Sequence, residues 1–112
     1  MTPEDKELLV RAARAAGFAL IWADDGAMCW LAECYDGRAN TDDPWNPIAN
    51  DVDAFRLGVR LEIGTQHHHY GIGWVDAGSL HLGWFKELIG GDLYAATRRV
   101  IVRAAAAQDK TP

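Results

Sequence analysis

Apolar and polar residues alternate along this chain with two different periods, and these periods predict three helices with strands between them. Apolar side chains three and four positions apart are typical of an amphipathic helix. One such segment starts at Thr2-Pro3-Glu4-Asp5, which combines a capping residue, a proline and acidic side chains. Gly17 can adopt the left-handed conformation that ends a helix, so the first helix is predicted between these two signals.

Two further segments have the helical period. The second helix is predicted from Asn50 or Asp51 to about Leu61, and the third from Leu93 to about Ala107. The second has an apolar stripe of Ala54, Leu57, Gly58 and Leu61, widened by Val52, Phe55 and Val59. The third is apolar around most of its circumference, so it is either a central helix or a contact with a second subunit. The tail, residues 108–112, is expected to fray.

Runs with a period of two predict two β-hairpins. The first joins residues 18–22 to residues 27–35, and the second joins residues 70–75 to residues 79–85 through Asp76-Ala77-Gly78. Residues 61–66 supply an optional further strand. The three-residue turn of the second hairpin sets its register, which pairs Trp74 with Leu80, Ile72 with Leu82 and Tyr70 with Trp84.

The same register leaves the other face of the second hairpin almost without side chains. Gly73 lies opposite His81 there, and Gly71 lies opposite Gly83. Glycine in a strand allows another backbone, a helix or a ligand to approach closely. The face is therefore predicted to serve close internal packing, to be bare in solvent, or to form a binding groove.

Together these elements predict one α+β domain over residues 1–112. Its antiparallel sheet has four to five strands, its helices number three, and the order is α-β-β-α-(β)-β-β-α. Five tryptophans, three tyrosines and three phenylalanines provide enough apolar surface for one core, so we interpret the bulky rings as core residues.

Charge and hydropathy exclude some functions. The net charge of −5 argues against binding to duplex nucleic acid, because phosphate contacts need clustered lysine and arginine. No apolar run approaches the ~20 residues that cross a bilayer, and no leader pattern opens the chain, so we expect neither membrane insertion nor secretion. Acidic residues crowd the first half, whereas Arg98, Arg99 and Arg103 gather near the end. Two patches of opposite charge are predicted.

The segment Asp36–Pro47 is predicted to be a loop, because glycine, asparagine and proline recur in it. Trp45 lies between two prolines, so it either anchors the loop on the core or presents a rigid ring to a partner. With Asp36, Asp42 and Asp43, Trp45 forms the candidate surface for a protein partner. The carboxylates favour a partner with a basic surface.

Three histidines form an alternative site. His67 and His69 share a face of an extended chain, and His81 on the neighbouring strand is a possible third ligand. Imidazoles in this arrangement could bind a transition metal or a small ligand. Solvated loop histidines are the simpler interpretation.

Residue patterns typical of enzymes are missing from the sequence. No nucleophile with a supporting base, no carboxylate pair and no phosphate-binding loop occurs at a diagnostic spacing, so we expect neither catalysis nor a cofactor. Cys29 and Cys34 lie on opposite faces of one predicted strand, roughly 16 Å apart at a rise of about 3.3 Å per residue. That separation is too long for a disulfide, and reduced thiols are expected.

Two stretches resemble a known group of proteins. The first is Trp45-Asn46-Pro47-Ile48 followed by Asp51, Asp53-Ala54, Arg56-Leu57 and Val59, and the second is residues 95–106, with the sequence ATRRVIVRAAA from Ala96 onwards. They resemble small uncharacterised proteins of tailed bacteriophages and prophages. The resemblance implies a place in the bacterial cytosol during infection or lysogeny, and it supplies no activity or catalytic residue.

The sequence thus predicts a non-enzymatic phage accessory protein that acts by binding a host or phage protein. A metal- or small-ligand-binding protein using His67, His69 and His81 is the alternative. A homodimer formed through the C-terminal helix is a further possibility.

Overall fold

The computed structural model describes residues 1–33, 43–68, 71–79 and 83–111. Within them the chain forms three helices and five strands, so the α+β class and the element order are confirmed. The elements are α1 (Pro3–Ala16), β1 (Leu20–Trp22), β2 (Cys29–Leu31), α2 (Asp51–Arg60), β3 (Gly64–His68), β4 (Trp74–Ser79), β5 (Gly83–Leu88) and α3 (Leu93–Ala106).

The five strands divide between two antiparallel sheets. One contains β1 and β2, and the other has the order β3-β4-β5. The outer edge of β2 is occupied by an irregular segment, because the backbone N–H of Trp45 donates to the carbonyl of Cys29 at 2.8 Å. This contact takes up a backbone acceptor that a further strand would need.

Helix starts follow the predicted capping residues. Thr2 Oγ1 accepts from the backbone of Asp5 at 3.1 Å, and Asn50 Oδ1 accepts from that of Asp53 at 2.9 Å. Asp92 caps α3 in the same way. At the end of α1, Gly17 has a φ of 79°, which a residue with a side chain rarely adopts. These boundaries depend on local hydrogen bonds, which is why the sequence predicts them well.

The third helix lies at the centre of the molecule. Val100, Val102 and Ala104 of α3 are fully buried, and α3 contacts α1, α2, β4 and β5. Small side chains on α1 and α3, such as Ala12 and Ala105, allow the two helices to approach closely. The apolar circumference of α3 is thus accounted for within one chain, as the central-helix interpretation requires.

The three arginines of α3 do not form a separate basic patch. Arg98 Nη1 donates to Asp51 of α2 at 2.6 Å, and Arg99 Nη2 donates to Asp5 of α1 at 2.7 Å. Arg103 Nη1 donates to Glu87 of β5 at 2.7 Å. Each arginine therefore joins α3 to a different neighbour, and its charge is neutralised there.

The predicted turn and register of the second hairpin are wrong. Gly78 lies inside β4 rather than in a turn, and Trp74 is paired with Leu88 instead of Leu80. The observed register places Val75 and Ala77 on one face, where both are fully buried against α3. Burial on the helix outweighs the local turn signal, because a turn over Asp76-Ala77-Gly78 would take Ala77 out of the strand that places it against α3.

The sequence predicts that the tail frays, but the tail is not frayed over its whole length. Asp109 is buried, and its Oδ2 accepts from Arg14 Nη2 of α1 at 2.8 Å. Burial alone would raise the pKa of Asp109, but hydrogen bonds from Thr111 and Arg14 outweigh it and lower that pKa below its ordinary value. Asp109 and the segment around it are thereby fixed to α1.

Trp45 anchors its loop segment on the core. Its side chain is only 2% exposed, and its ring meets that of Phe18 edge-on, with the centroids 6.0 Å apart. Nearby, Asp53 Oδ2 accepts from the backbone of Asn46 at 3.0 Å, which fixes the segment to α2. The anchoring interpretation of Trp45 is therefore confirmed.

Replacing Trp45 with alanine is expected to lower the free energy of unfolding by about 3–5 kcal/mol, because it leaves a large cavity in the core. Equilibrium unfolding in urea, followed by circular dichroism, measures this loss. Trp84→Ala is the matched control: its side chain is 51% exposed, and we expect a loss of about 1 kcal/mol or less. Equal losses in the two variants would contradict the assignment of Trp45 to the core.

The thiol of Cys29 is shielded in the same region. Its Sγ donates to the carbonyl of Trp45 at 3.4 Å. Burial, and then the negative charge of Asp53, raise the pKa of Cys29 to about 11. At pH 8 only about one thiol in a thousand would be the reactive thiolate.

In a Cys34→Ser background, Cys29 is expected to react with a thiol reagent at pH 8 only as fast as the native protein opens. Absorbance of the released chromophore measures the rate, and the same protein in denaturant provides the fast reference. A native rate equal to that reference would contradict the burial of Cys29.

Candidate functional site

The residues of the predicted protein-binding loop do not form one described surface. Trp45 is in the core, so its side chain is not available to a partner in this fold. Asp43 is exposed, whereas Asp36 and Asp42 lie outside the described residues. The loop hypothesis thus loses its aromatic residue.

The predicted histidine site is only partly described. His67 lies on the side of β3 that faces α3, where its Nε2 is 3.3 Å from Thr97 Oγ1. His69 and His81 lie outside the described residues. Among the residues that are described, no group of three or more histidine, cysteine, aspartate or glutamate side chains could hold a metal ion. The metal alternative stays a prediction.

The most distinctive surface lies on the second sheet. One face of β3-β4-β5 packs on α3 through residues such as Val75 and Phe85. Because side chains alternate along a strand, the opposite face presents every other residue. Its three rows across the strands are His68, Trp74 and Leu88; Gln66, Asp76 and Lys86; and Gly64, Gly78 and Trp84. These nine residues are called the open sheet face below.

Four side chains in the first two rows of the open sheet face form a connected cluster around Trp74. The ring of His68 stacks on that of Trp74 at 4.6 Å with an angle of 12° between their planes. Lys86 Nζ lies 4.3 Å from the centre of the same ring, a cation–π distance. His68 Nε2 also donates to Asp76 Oδ2 at 3.0 Å. These contacts restrict the rotamers of the four side chains.

The third row holds Trp84 over two glycines. A Cβ built on Gly64 would lie 4.0 Å from Trp84 Cη2, so the indole reaches across Gly78 of the central strand to β3. Half of the side chain, 51%, stays exposed. A large ring is thus supported from below by backbone and open to solvent above.

The open sheet face combines apolar area with fixed charges. Trp84 and Leu88 are both exposed, and Asp76 and Lys86 lie between their rows. Tryptophan surrounded by polar groups on a rigid scaffold is typical of the residues that contribute most to protein–protein binding. The side chains offer contact surface and hydrogen-bonding groups, so the arrangement suits recognition.

This surface is not predicted from the sequence, because the bulky rings are interpreted there as core residues. The predicted register pairs Trp84 with Tyr70, whereas its observed partner is Gly78. The available signal was Lys86, since a lysine two positions from Trp84 indicates that their shared face meets solvent. Glu87 weakens this signal, because a charged residue on the opposite face suggests that the opposite face also meets solvent. Its partner Arg103 is distant in sequence, so the sequence does not show that the charge of Glu87 is paired.

Comparisons of the chain with protein-family models, with curated proteins and with solved structures found no match. In the described part of the chain, no helix has the length and apolar character to cross a membrane. The functional inference therefore depends on the open sheet face itself.

The two glycines under Trp84 are expected to differ in how well they tolerate replacement by alanine. A Cβ at Gly78 would overlap the carbonyl oxygen of Gly83, so Gly78→Ala should cost about 2 kcal/mol or more of unfolding free energy. A Cβ at Gly64 would meet its nearest atom at 3.9 Å, an ordinary contact, and Gly64→Ala should change stability by less than about 1 kcal/mol. Urea unfolding of both variants tests the difference, and equal stability would contradict this packing.

Proposed function

We propose that this protein is a non-enzymatic binding module that uses its open sheet face to hold another protein. The observation that carries the proposal is Trp84, an exposed ring supported on glycine backbone in a sheet whose other face is fixed by α3. A rigid aromatic side chain loses little conformational entropy on binding, so its burial contributes strongly to affinity.

The proposed partner is a protein with an apolar pocket for Trp84 and a basic surrounding surface. The pocket follows from the size and exposure of the ring, and the basic character follows from the net charge of −5. Opposite net charges accelerate association and favour one partner over others. Asp76 on the open sheet face already accepts a hydrogen bond from His68. We therefore expect Asp76 and Lys86 to orient the bound partner more than to increase its affinity.

The proposed setting is a bacterial cell that carries a tailed phage or prophage. This part depends only on the resemblance of two residue patterns to phage proteins, and it selects the cells in which partners should be sought. In that setting the partner would be a host or phage protein, and the module would change that protein's activity by occupying its surface.

Trp84→Ala is expected to weaken partner binding at least about 30-fold, because the largest exposed ring of the open sheet face is lost. Partners are captured from cells carrying the phage with the wild-type protein and identified by mass spectrometry. The affinity of each purified partner is then measured by isothermal titration calorimetry. Ile21→Ala provides the matched control, since Ile21 is 56% exposed on the other sheet.

The expected outcome is a partner that binds the wild type and Ile21→Ala equally and binds Trp84→Ala weakly, with native circular dichroism for all three. Equal affinity of Trp84→Ala and the wild type for every captured partner would exclude the open sheet face as the binding surface.

A further inference from the structure

A second unpartnered surface lies on α2. Val52, Phe55 and Val59 are 56%, 69% and 63% exposed, although the sequence predicts that they widen the core stripe. That prediction is wrong, because the buried side of α2, which includes Ala54 and Leu57, is directed at the core and leaves the opposite side in solvent. The three exposed apolar residues are called the α2 stripe.

The spacing of the α2 stripe matches a coiled-coil seam. Steps of three and then four residues place Val52, Phe55 and Val59 at the a, d and a positions of a heptad. In that register Asp51 occupies the preceding g position, and Arg56 occupies the following e position. The g and e positions flank the seam, and in parallel pairs a g residue meets the e residue five positions later on the other helix.

Both flanking residues are able to make such a contact. The side chain of Asp51 is 60% exposed while it accepts from Arg98, and a carboxylate has further lone pairs to accept from a second donor. Arg56 is partly exposed and makes no ion pair or hydrogen bond with any residue in the described ranges. The acid and the base lie on opposite sides of the α2 stripe.

We infer that α2 is the interface of a parallel, twofold-symmetric dimer of this chain. Asp51 of each copy would then pair with Arg56 of the partner subunit, and the contact would form twice. Val52 and Val59 would each meet their own counterparts on the symmetry axis, as β-branched residues at a positions do in parallel dimers. In an antiparallel pair the two Arg56 side chains would instead lie on the same side of the interface, where their like charges repel each other.

The dimer is expected to be weak. A helix of ten residues is about 15 Å long, and stable interfaces commonly bury about 1,200–2,000 Å², which α2 alone does not supply. Beside the stripe, Phe55 and Tyr94 line a cleft of about 240 Å³ that offers additional apolar contact. Association should therefore depend on protein concentration.

Sedimentation velocity between ~10 µM and ~1 mM measures the association. The wild type should show a monomer–dimer equilibrium, and Val59→Asp should raise the dissociation constant at least about 30-fold by burying a charge in the seam. Ile72→Asp is the matched control, because Ile72 is 78% exposed and lies between β3 and β4 rather than on α2, and it should leave the constant unchanged. A wild type that is monomeric at ~1 mM would overturn the proposal.

Charge substitutions and crosslinking test the orientation. Arg56→Glu should raise the dissociation constant several-fold, whereas Arg56→Lys should leave it nearly unchanged. In a Cys34→Ser background under mild oxidation, Val52→Cys should crosslink with itself, and so should Val59→Cys. Crosslinks that form only in a mixture of Val52→Cys and Val59→Cys would show an antiparallel contact and overturn the parallel register.

Discussion

The burial of α3 determines how the rest of the molecule is arranged. Its alanine and valine side chains are small enough for two helices and two strands to approach it, and burial of apolar surface supplies the main free energy of folding. Arg98, Arg99 and Arg103 then fix the neighbours at defined positions, because each guanidinium pairs with an acid from another element. The buried apolar side chains of α3 thus set the distance to each neighbouring element, and the ion pairs beside them set its orientation.

This central position also explains which surfaces stay open. A helix covers one face of a sheet, so the face of β4 that carries Val75 is dry while the face that carries Asp76 meets solvent. In the same way α2 uses Leu57 against the core and leaves Phe55 outside. No described element covers either surface, and both retain large apolar side chains. Isolated exposed apolar residues are ordinary, but contiguous ones on a rigid scaffold are typical of interaction sites.

Local signals predicted the parts of the fold that local contacts determine. Thr2, Gly17, Asn50 and Asp92 mark helix ends because each is bonded within a few residues of itself. The register of β4 and β5 was missed because it depends on α3, and the pairing of Arg103 with Glu87 could not be read from either residue. The two interpretations of Trp45 could not be separated from the sequence for the same reason: only the packing of Phe18 and Cys29 around it distinguishes a buried Trp45 from an exposed one.

The two proposed surfaces would reinforce each other if both act. A twofold dimer through α2 carries two copies of Trp84, and a partner with two sites, or two partners held close together, would meet both at once. The second contact is then intramolecular, so the avidity gained depends on the spacing of the two open sheet faces rather than on a new contact. A weak dimer suits this arrangement. A partner that contacts both copies stabilises the dimer by mass action, and dimer formation in turn strengthens partner binding. Such coupling would make partner binding steeply dependent on the concentration of this small protein, which neither surface could achieve alone.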